Sequence, residues 1–192
     1  LKRRFFLLVA GAGLAACASA PKLSGALAER EALHDFAIEA RFALKIERFG
    51  EAVQNGSGRL SWAHQNGEDR VFLANPLGSG LAEIEIGQTI SRLRSANGVL
   101  HENADADLLM QQVTGYPLPV SRLAGWLLGR PGAAGELTRD AFGRPLRLRE
   151  AGWQIDYLYA DETPAALPFR LNINRADEVS LNLRIEEWRD AP

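Results

Sequence analysis

The sequence predicts a mainly β, α+β domain. An antiparallel meander of roughly nine strands curls toward a barrel, with a short helical lid over a hydrophobic cavity. Three observations predict it. Long segments alternate apolar and polar residues with a period of two. Turn signals such as Asn66-Gly67 and Asn97-Gly98 join them as hairpins. The period then changes once, between Asp105 and Leu128, where apolar residues recur at helical spacing.

The first strand is the longest alternation. Phe36, Ile38, Ala40, Phe42, Leu44 and Ile46 interleave with Ala37, Glu39, Arg41, Ala43, Lys45 and Glu47, so one face is apolar and the other wet. Gln54–His64 follows, with Leu60 and Trp62 on one face, and Gly56 and Gly58 suggest a bend or bulge. Arg70–Ala74, Leu81–Ile86, Thr89–Arg94 and Val99–Glu102 complete the first half. Asp105 caps a helix running to Val113 and closed by Gly115. A second helix runs from Pro119 to Leu128, its apolar face formed by Val120, Leu123, Trp126 and Leu127, and Arg130–Gly135 is a loop. Strands resume at Pro145–Glu150, Trp153–Tyr159, Leu167–Asn174 and Val179–Trp188. Helices with one apolar face must cover something, and here that is the open mouth or concave face of the sheet.

Between Arg70–Ala74 and Leu81–Ile86 lies Asn75-Pro76-Leu77-Gly78-Ser79-Gly80. Asn-Pro starts turns, and glycine tolerates a positive φ. Hairpin tips are usually polar. Leu77, braced by Pro76 and Gly78, is either tucked back onto the core or offered to an apolar surface.

At 192 residues, with 46% apolar and 24% charged residues, the chain is long enough for one domain with a real core. No basic run with interleaved aromatics suggests nucleic acid. Lys2-Arg3-Arg4 followed by apolar Phe5–Leu14 is too short to span a bilayer comfortably and reads as a signal peptide. It ends Leu14-Ala15-Ala16-Cys17, which resembles the lipobox of bacterial lipoproteins, whose cysteine becomes the acylated first residue. Residues 1–16 are therefore expected to be a leader, 17–25 the acylated Cys17 and a flexible tether, and 26–192 a single lipid-binding domain. Losing the three leader cations takes the formal charge from −2 to −5. The lone cysteine forms no internal disulfide. Position 1 is Leu rather than Met. Ala18 and Ser19 follow the cysteine where inner-membrane lipoproteins carry Asp, so the resemblance implies an outer-membrane anchor facing the periplasm.

Candidate catalytic groups are sparse. His34, His64 and His101 have no metal-ligand spacing. Gly78-Ser79-Gly80 lacks the nucleophile-elbow pattern. Asp105 and Asp107 serve more simply as a cap and a first-turn charge, and Glu186-Glu187 as a solvated strand end. Trp62, Trp126, Trp153 and Trp188 either pack the core or line an acyl-chain cavity with their N–H groups bonded at its wall.

The ordered set of motifs is more specific than any one of them. It comprises the lipobox at Cys17, the Asn75–Gly78 turn, Trp126-Leu127-Leu128-Gly129-Arg130-Pro131, Gly152-Trp153-Gln154-Ile155-Asp156-Tyr157, Leu167-Pro168-Phe169-Arg170-Leu171 and a last strand ending at Trp188. Together these resemble the outer-membrane lipoprotein receptor family LolB. The resemblance implies an incomplete antiparallel β-barrel, or half-barrel, with a helical lid over a hydrophobic cavity. It implies a receptor that takes acylated lipoproteins from a soluble periplasmic carrier and places them in the outer membrane, with no enzyme activity, cofactor, nucleotide or metal. It implies that Leu77, with Pro76 and Gly78, forms a loop that inserts into the inner leaflet. The lid and wall residues expected to hold acyl chains are Val120, Leu123, Trp126, Leu127, Phe42, Leu44 and Trp62, in a monomer. Rival readings are a soluble-type lipoprotein carrier, a structural outer-membrane lipoprotein without a cavity, and a lipid hydrolase, for which no nucleophile–base pair can be assembled.

Overall fold

Eleven strands form one antiparallel sheet in the computed structural model, which describes residues 29–47, 50–176 and 178–191. The expected leader, Cys17 and the expected tether lie outside the described residues. The first half comprises β1 (Phe36–Ile46), β2 (Gln54–Gln65), β3 (Glu68–Ala74), β4 (Gly80–Ile86), β5 (Ser91–Ser95) and β6 (Leu100–Asn103). Helices α1 (Ala106–Thr114) and α2 (Val120–Leu127) interrupt it. The second half comprises β7 (Glu136–Arg139), β8 (Pro145–Glu150), β9 (Trp153–Leu158), β10 (Arg170–Arg175) and β11 (Val179–Arg189). The spatial order is β6-β5-β4-β3-β2-β1-β11-β10-β9-β8-β7. The long pairing of β1 with β11 joins the two halves, and β6 and β7 are the open edges.

Each half is a chain of hairpins, as the turn signals imply, and the sheet stays open. Ten of the eleven strands fall on segments expected from the alternation. The addition is β7, which follows a stretch rich in Gly, Ala and Pro and whose four residues carry too little alternation to read.

Gly58 corrects the expectation of a bulge. The β1–β2 register runs unbroken from Phe36 opposite His64 to Ile46 opposite Gln54. The glycine is needed because a Cβ there would lie 2.0 Å from the Ala74 carbonyl oxygen. Gly58→Ala must push the end of β3 off β2, and a loss of about 1–3 kcal/mol in urea unfolding is the expected result. Register shifts lie elsewhere: in β3–β4 at Leu73/Ala74, in β7–β8 at Thr138/Arg139, and in β1–β11 between Glu39 and Ala40. The last leaves the exposed Glu186 without a residue opposite it on β1 and returns Trp188, opposite Ile38, to the inner face.

The inner face carries two apolar clusters. The larger joins β1, β2 and β8–β11 to α2, around Phe36, Ile38, Trp126, Leu148, Ile155 and Leu171. The smaller seats α1 on Ile84 and Leu93 through Ala106, Leu109 and Met110. Among the described residues, every buried member of both clusters lies between Phe36 and Ile185.

Candidate functional site

The β3–β4 tip is built by one side chain. Asn75 Oδ1 accepts from the backbone N–H groups of Leu77 (2.9 Å) and Ser79 (3.0 Å). The Asn75 N–H donates to the Ser79 carbonyl (2.8 Å), and the Gly78 N–H to the Asn75 carbonyl (2.9 Å). Gly78 takes a φ of +94°, which a side chain would strain. Pro76 fixes φ before the bend. The rigid loop leaves the Leu77 side chain 94% exposed. Of the two orientations open to it in the sequence, the structure has the outward one. Phe72 and Leu81, at the base of the tip, and Val99, beside the next hairpin, are also exposed apolar residues.

Between the helices and the sheet lies a cavity of about 240 Å³. Six of the seven residues expected at it line it: Phe42 and Leu44 from β1, Trp62 from β2, and Val120, Leu123 and Leu127 from α2. Trp126 is a correction. It is 1% exposed, but its indole turns to the other side of α2, packs at a tilt of 46° against Trp153 (5.8 Å between centroids) and donates its N–H to Glu150 Oε2 (2.9 Å). Helical spacing places four apolar residues on one broad face, and here that face serves both the cavity and the packed core. The wall also takes Val71 and Leu73 of β3, Ile84 and Ile86 of β4, and Leu171 and Ile173 of β10. Their period-2 alternation was the available signal.

Asp69 is the acidic group in this lining and is buried. Its Oδ1 accepts from Trp62 Nε1 (2.7 Å) and faces His64 Nδ1 at the same distance. This satisfies the Trp62 indole at the wall. The Trp188 N–H goes to the Pro168 carbonyl (3.0 Å).

Glu150 at the end of β8 anchors the lid. Its carboxylate accepts from Arg122 Nε (2.8 Å) and Nη2 (3.2 Å), Trp126 Nε1 (2.9 Å) and the Gly132 N–H (2.9 Å). Burial pushes its pKa up, but the hydrogen bonds from Arg122, Gly132 and Trp126 outweigh it and hold the carboxyl below the usual glutamate range. Tyr157 OH donates to the Trp126 carbonyl (2.6 Å), and burial raises its pKa far above the ordinary tyrosine value. Asp105 caps α1 as expected, accepting from the N–H groups of Asp107 and Leu108. Asp107 does more than carry a first-turn charge, since it accepts from the N–H and hydroxyl of Ser121 (3.0 and 2.9 Å) and so ties α1 to α2. Tyr116, between the helices, donates its OH to Glu178 in the β10–β11 turn (2.6 Å). No group of three His, Cys, Asp or Glu arranged to hold a metal occurs among the described residues.

An open antiparallel sheet curled about an apolar cavity and roofed by two short helices defines a half-barrel class of protein. A LolA superfamily protein from Nitrosomonas europaea has a similar fold, with a TM-score of 0.50 and 12% identity over 88% of this chain and 93% of that one. The particular family follows from sequence. The model of the family described as "Outer membrane lipoprotein LolB" matches residues 34–188, and the chain belongs to that family. Relatives named outer-membrane lipoprotein LolB include one from Dechloromonas aromatica, 51% identical over the whole of both chains. Another, from an Azoarcus species, is 34% identical over 94% of this chain and 91% of that one.

Proposed function

We propose that this chain is a monomeric, outer-membrane-anchored receptor that accepts acylated lipoproteins from a soluble periplasmic carrier and releases them into the inner leaflet, without catalysing a covalent step. Membership of the LolB family supports the role, and the apolar cavity under α1 and α2 is the observation that carries the mechanism. A packed barrel without a ligand space does not describe this molecule.

Magnitudes decide how cargo must travel. Three acyl chains carry on the order of forty-five methylenes, each costing about 0.8 kcal/mol in water. Free passage through water is therefore excluded, and the chains must move from one apolar cavity to another. A bias of about 1.4 kcal/mol toward the receiver gives a tenfold preference.

The cavity is also too small as it stands. By comparison with a benzene-filled cavity of about 150 Å³, a space of about 240 Å³ holds roughly ten carbons. Loading must lift the lid. The C-terminal half of α2 is pinned to β8 and β9 by Glu150 and Tyr157. The part that must lift is therefore α1 with the linker at 115–119, which has to leave its seat on Ile84 and Leu93 and break ties that include Tyr116 to Glu178 and Asp107 to Ser121.

Leu123 lines the cavity and touches both apolar clusters. Leu123→Asp puts an unpaired charge on an apolar wall. Affinity for a fluorescent fatty acid is expected to fall at least tenfold, and an unchanged affinity would count against the cavity as the ligand site. The reading as a whole is tested by mixing residues 18–192 with carrier loaded with acylated lipoprotein. Cargo should move onto this protein without ATP or metal.

A further inference from the structure

Four arginines stand side by side on the outer face of the sheet. Arg59 of β2 is directly opposite Arg41 of β1, Arg41 is opposite Arg184 of β11, and Arg184 is opposite Arg170 of β10. Their strand neighbours Phe42, Leu60, Leu171 and Leu183 line the cavity, so alternation turns the arginines outward. Opposite residues on adjacent strands are close enough to interact, and like charges placed so are destabilising.

Elsewhere the same face avoids this. Glu83 faces Arg94, Glu85 faces Arg92, and Arg147 faces Asp156. The acid pair Glu39 and Glu187 is bridged by Arg189 at 3.1 Å to each. In the arginine row, Arg41 pairs with Glu186 (2.7 Å), whereas Arg59, Arg170 and Arg184 have no ion-pair partner among the described residues. Arg41, Arg170 and Arg184 line a shallow depression of about 210 Å³, with Asn182 as a further donor. This is a built concentration of positive charge on a chain whose formal charge is negative.

We propose that this row binds the phosphates of anionic phospholipids in the membrane that the Leu77 tip contacts. The inference rests on the tip reading for the orientation it assumes. The row begins beside Ala74, since Arg59 is opposite that residue, and Leu77 is three residues further on. Three extended residues span at most about 10 Å. Arg59 is thus the member of the row nearest the tip, and from it the row crosses β1, β11 and β10, five residue pairs short of the β1–β2 and β10–β11 ends. A headgroup layer is about 5–7 Å deep, and an arginine's long stem carries its fork down into it. The planar guanidinium donates two parallel hydrogen bonds to one phosphate. The like-charge strain is relieved when phosphates enter the row. Leu77 supplies depth and the arginines supply a preference for charge.

The test is sedimentation of residues 18–192 with vesicles of phosphatidylcholine alone or mixed with phosphatidylglycerol. An arginine near an anionic surface contributes about fivefold to binding. The unchanged protein should therefore bind the mixed vesicles at least tenfold more tightly, and high salt should remove the difference. Arg59→Gln with Arg184→Gln should abolish most of the preference while leaving thermal stability equal or higher. Arg92→Gln with Arg147→Gln changes net charge equally at paired sites and should retain it. Equal binding of the unchanged protein to both vesicles overturns the proposal and leaves the tip reading standing, as does an equal loss in the control pair. Binding to neither vesicle overturns both. If Leu77→Glu has no effect on either vesicle while the arginine pair does, the tip reading falls and the row survives. If the row variants keep the lipid preference but slow cargo acceptance from the carrier without vesicles, the row serves an acidic protein partner and the proposal fails.

Discussion

Leu77→Glu is expected to leave the fold and cargo acceptance intact and to reduce delivery into liposomes at least tenfold. The fold is spared because the tip's geometry is set by others. Asn75 makes the hydrogen bonds that close the loop, Pro76 and Gly78 supply the dihedral angles, and the Leu77 side chain points away from the protein. Nothing in the core loses a neighbour, so the urea midpoint should not move. Acceptance is spared because Leu77 does not line the cavity. Delivery suffers because a leucine entering the lipid interface contributes about 1.5–3 kcal/mol, and the acid removes that and adds the cost of desolvating a charge. The measurement is a two-stage transfer, from carrier to receptor and then from receptor to vesicle. A defect confined to the second stage is the expected result, and normal delivery would remove Leu77 from the mechanism. Leu77→Ala should give an intermediate defect, since it forfeits apolar area without introducing charge.

Much of the fold is legible because the sheet has one wet side. Where an inner face meets the cavity and an outer face meets water, residues must alternate, and β1 shows it over its whole length. The same alternation locates the cavity wall, though not which inner residues meet empty space and which meet packing. Ile38 and Leu44 look equivalent along β1. Only the placement of α2 leaves Leu44 on the cavity and Ile38 in the packed core. Trp126 is misread for the same reason, because the helical period cannot show that a glutamate from β8 claims the indole. Glu150 itself carries no local signal, since it is one more charged residue in an alternating Arg-Leu-Arg-Glu run. The arginine row is invisible in sequence because its members are far apart, and only the register brings them together. Leu77 is readable because it breaks a local rule, an apolar residue at a turn that composition alone would make polar.

Glu150→Ala should cost about 2–4 kcal/mol of stability and loosen the lid. The estimate follows from what is left behind. The Trp126 indole N–H is buried and loses its acceptor, and the Gly132 N–H loses one as well. A buried donor left unpaired costs about 1–3 kcal/mol. Arg122 is partly exposed and can turn to water, so its share is small. With the anchor gone, α2 is held at that end by the Tyr157 hydroxyl on the Trp126 carbonyl and by apolar packing. Exchange of the α2 amides should quicken more than that of β1, and a fluorescent acyl probe should enter faster. The wild-type protein should show the same weakness in acid. The folded Glu150 pKa lies below its unfolded value, so its contribution is fully present above the ordinary glutamate pKa of 4.5 and is lost as pH falls through the lower folded value. Glu150→Gln keeps the size and an acceptor oxygen but not the charge. Its stability should therefore be lower than wild type at neutral pH, and the two should converge below pH 4.5 as the wild-type carboxyl protonates. A Gln variant that stays parallel to wild type across that range would show that the Glu150 charge contributes nothing to holding the lid.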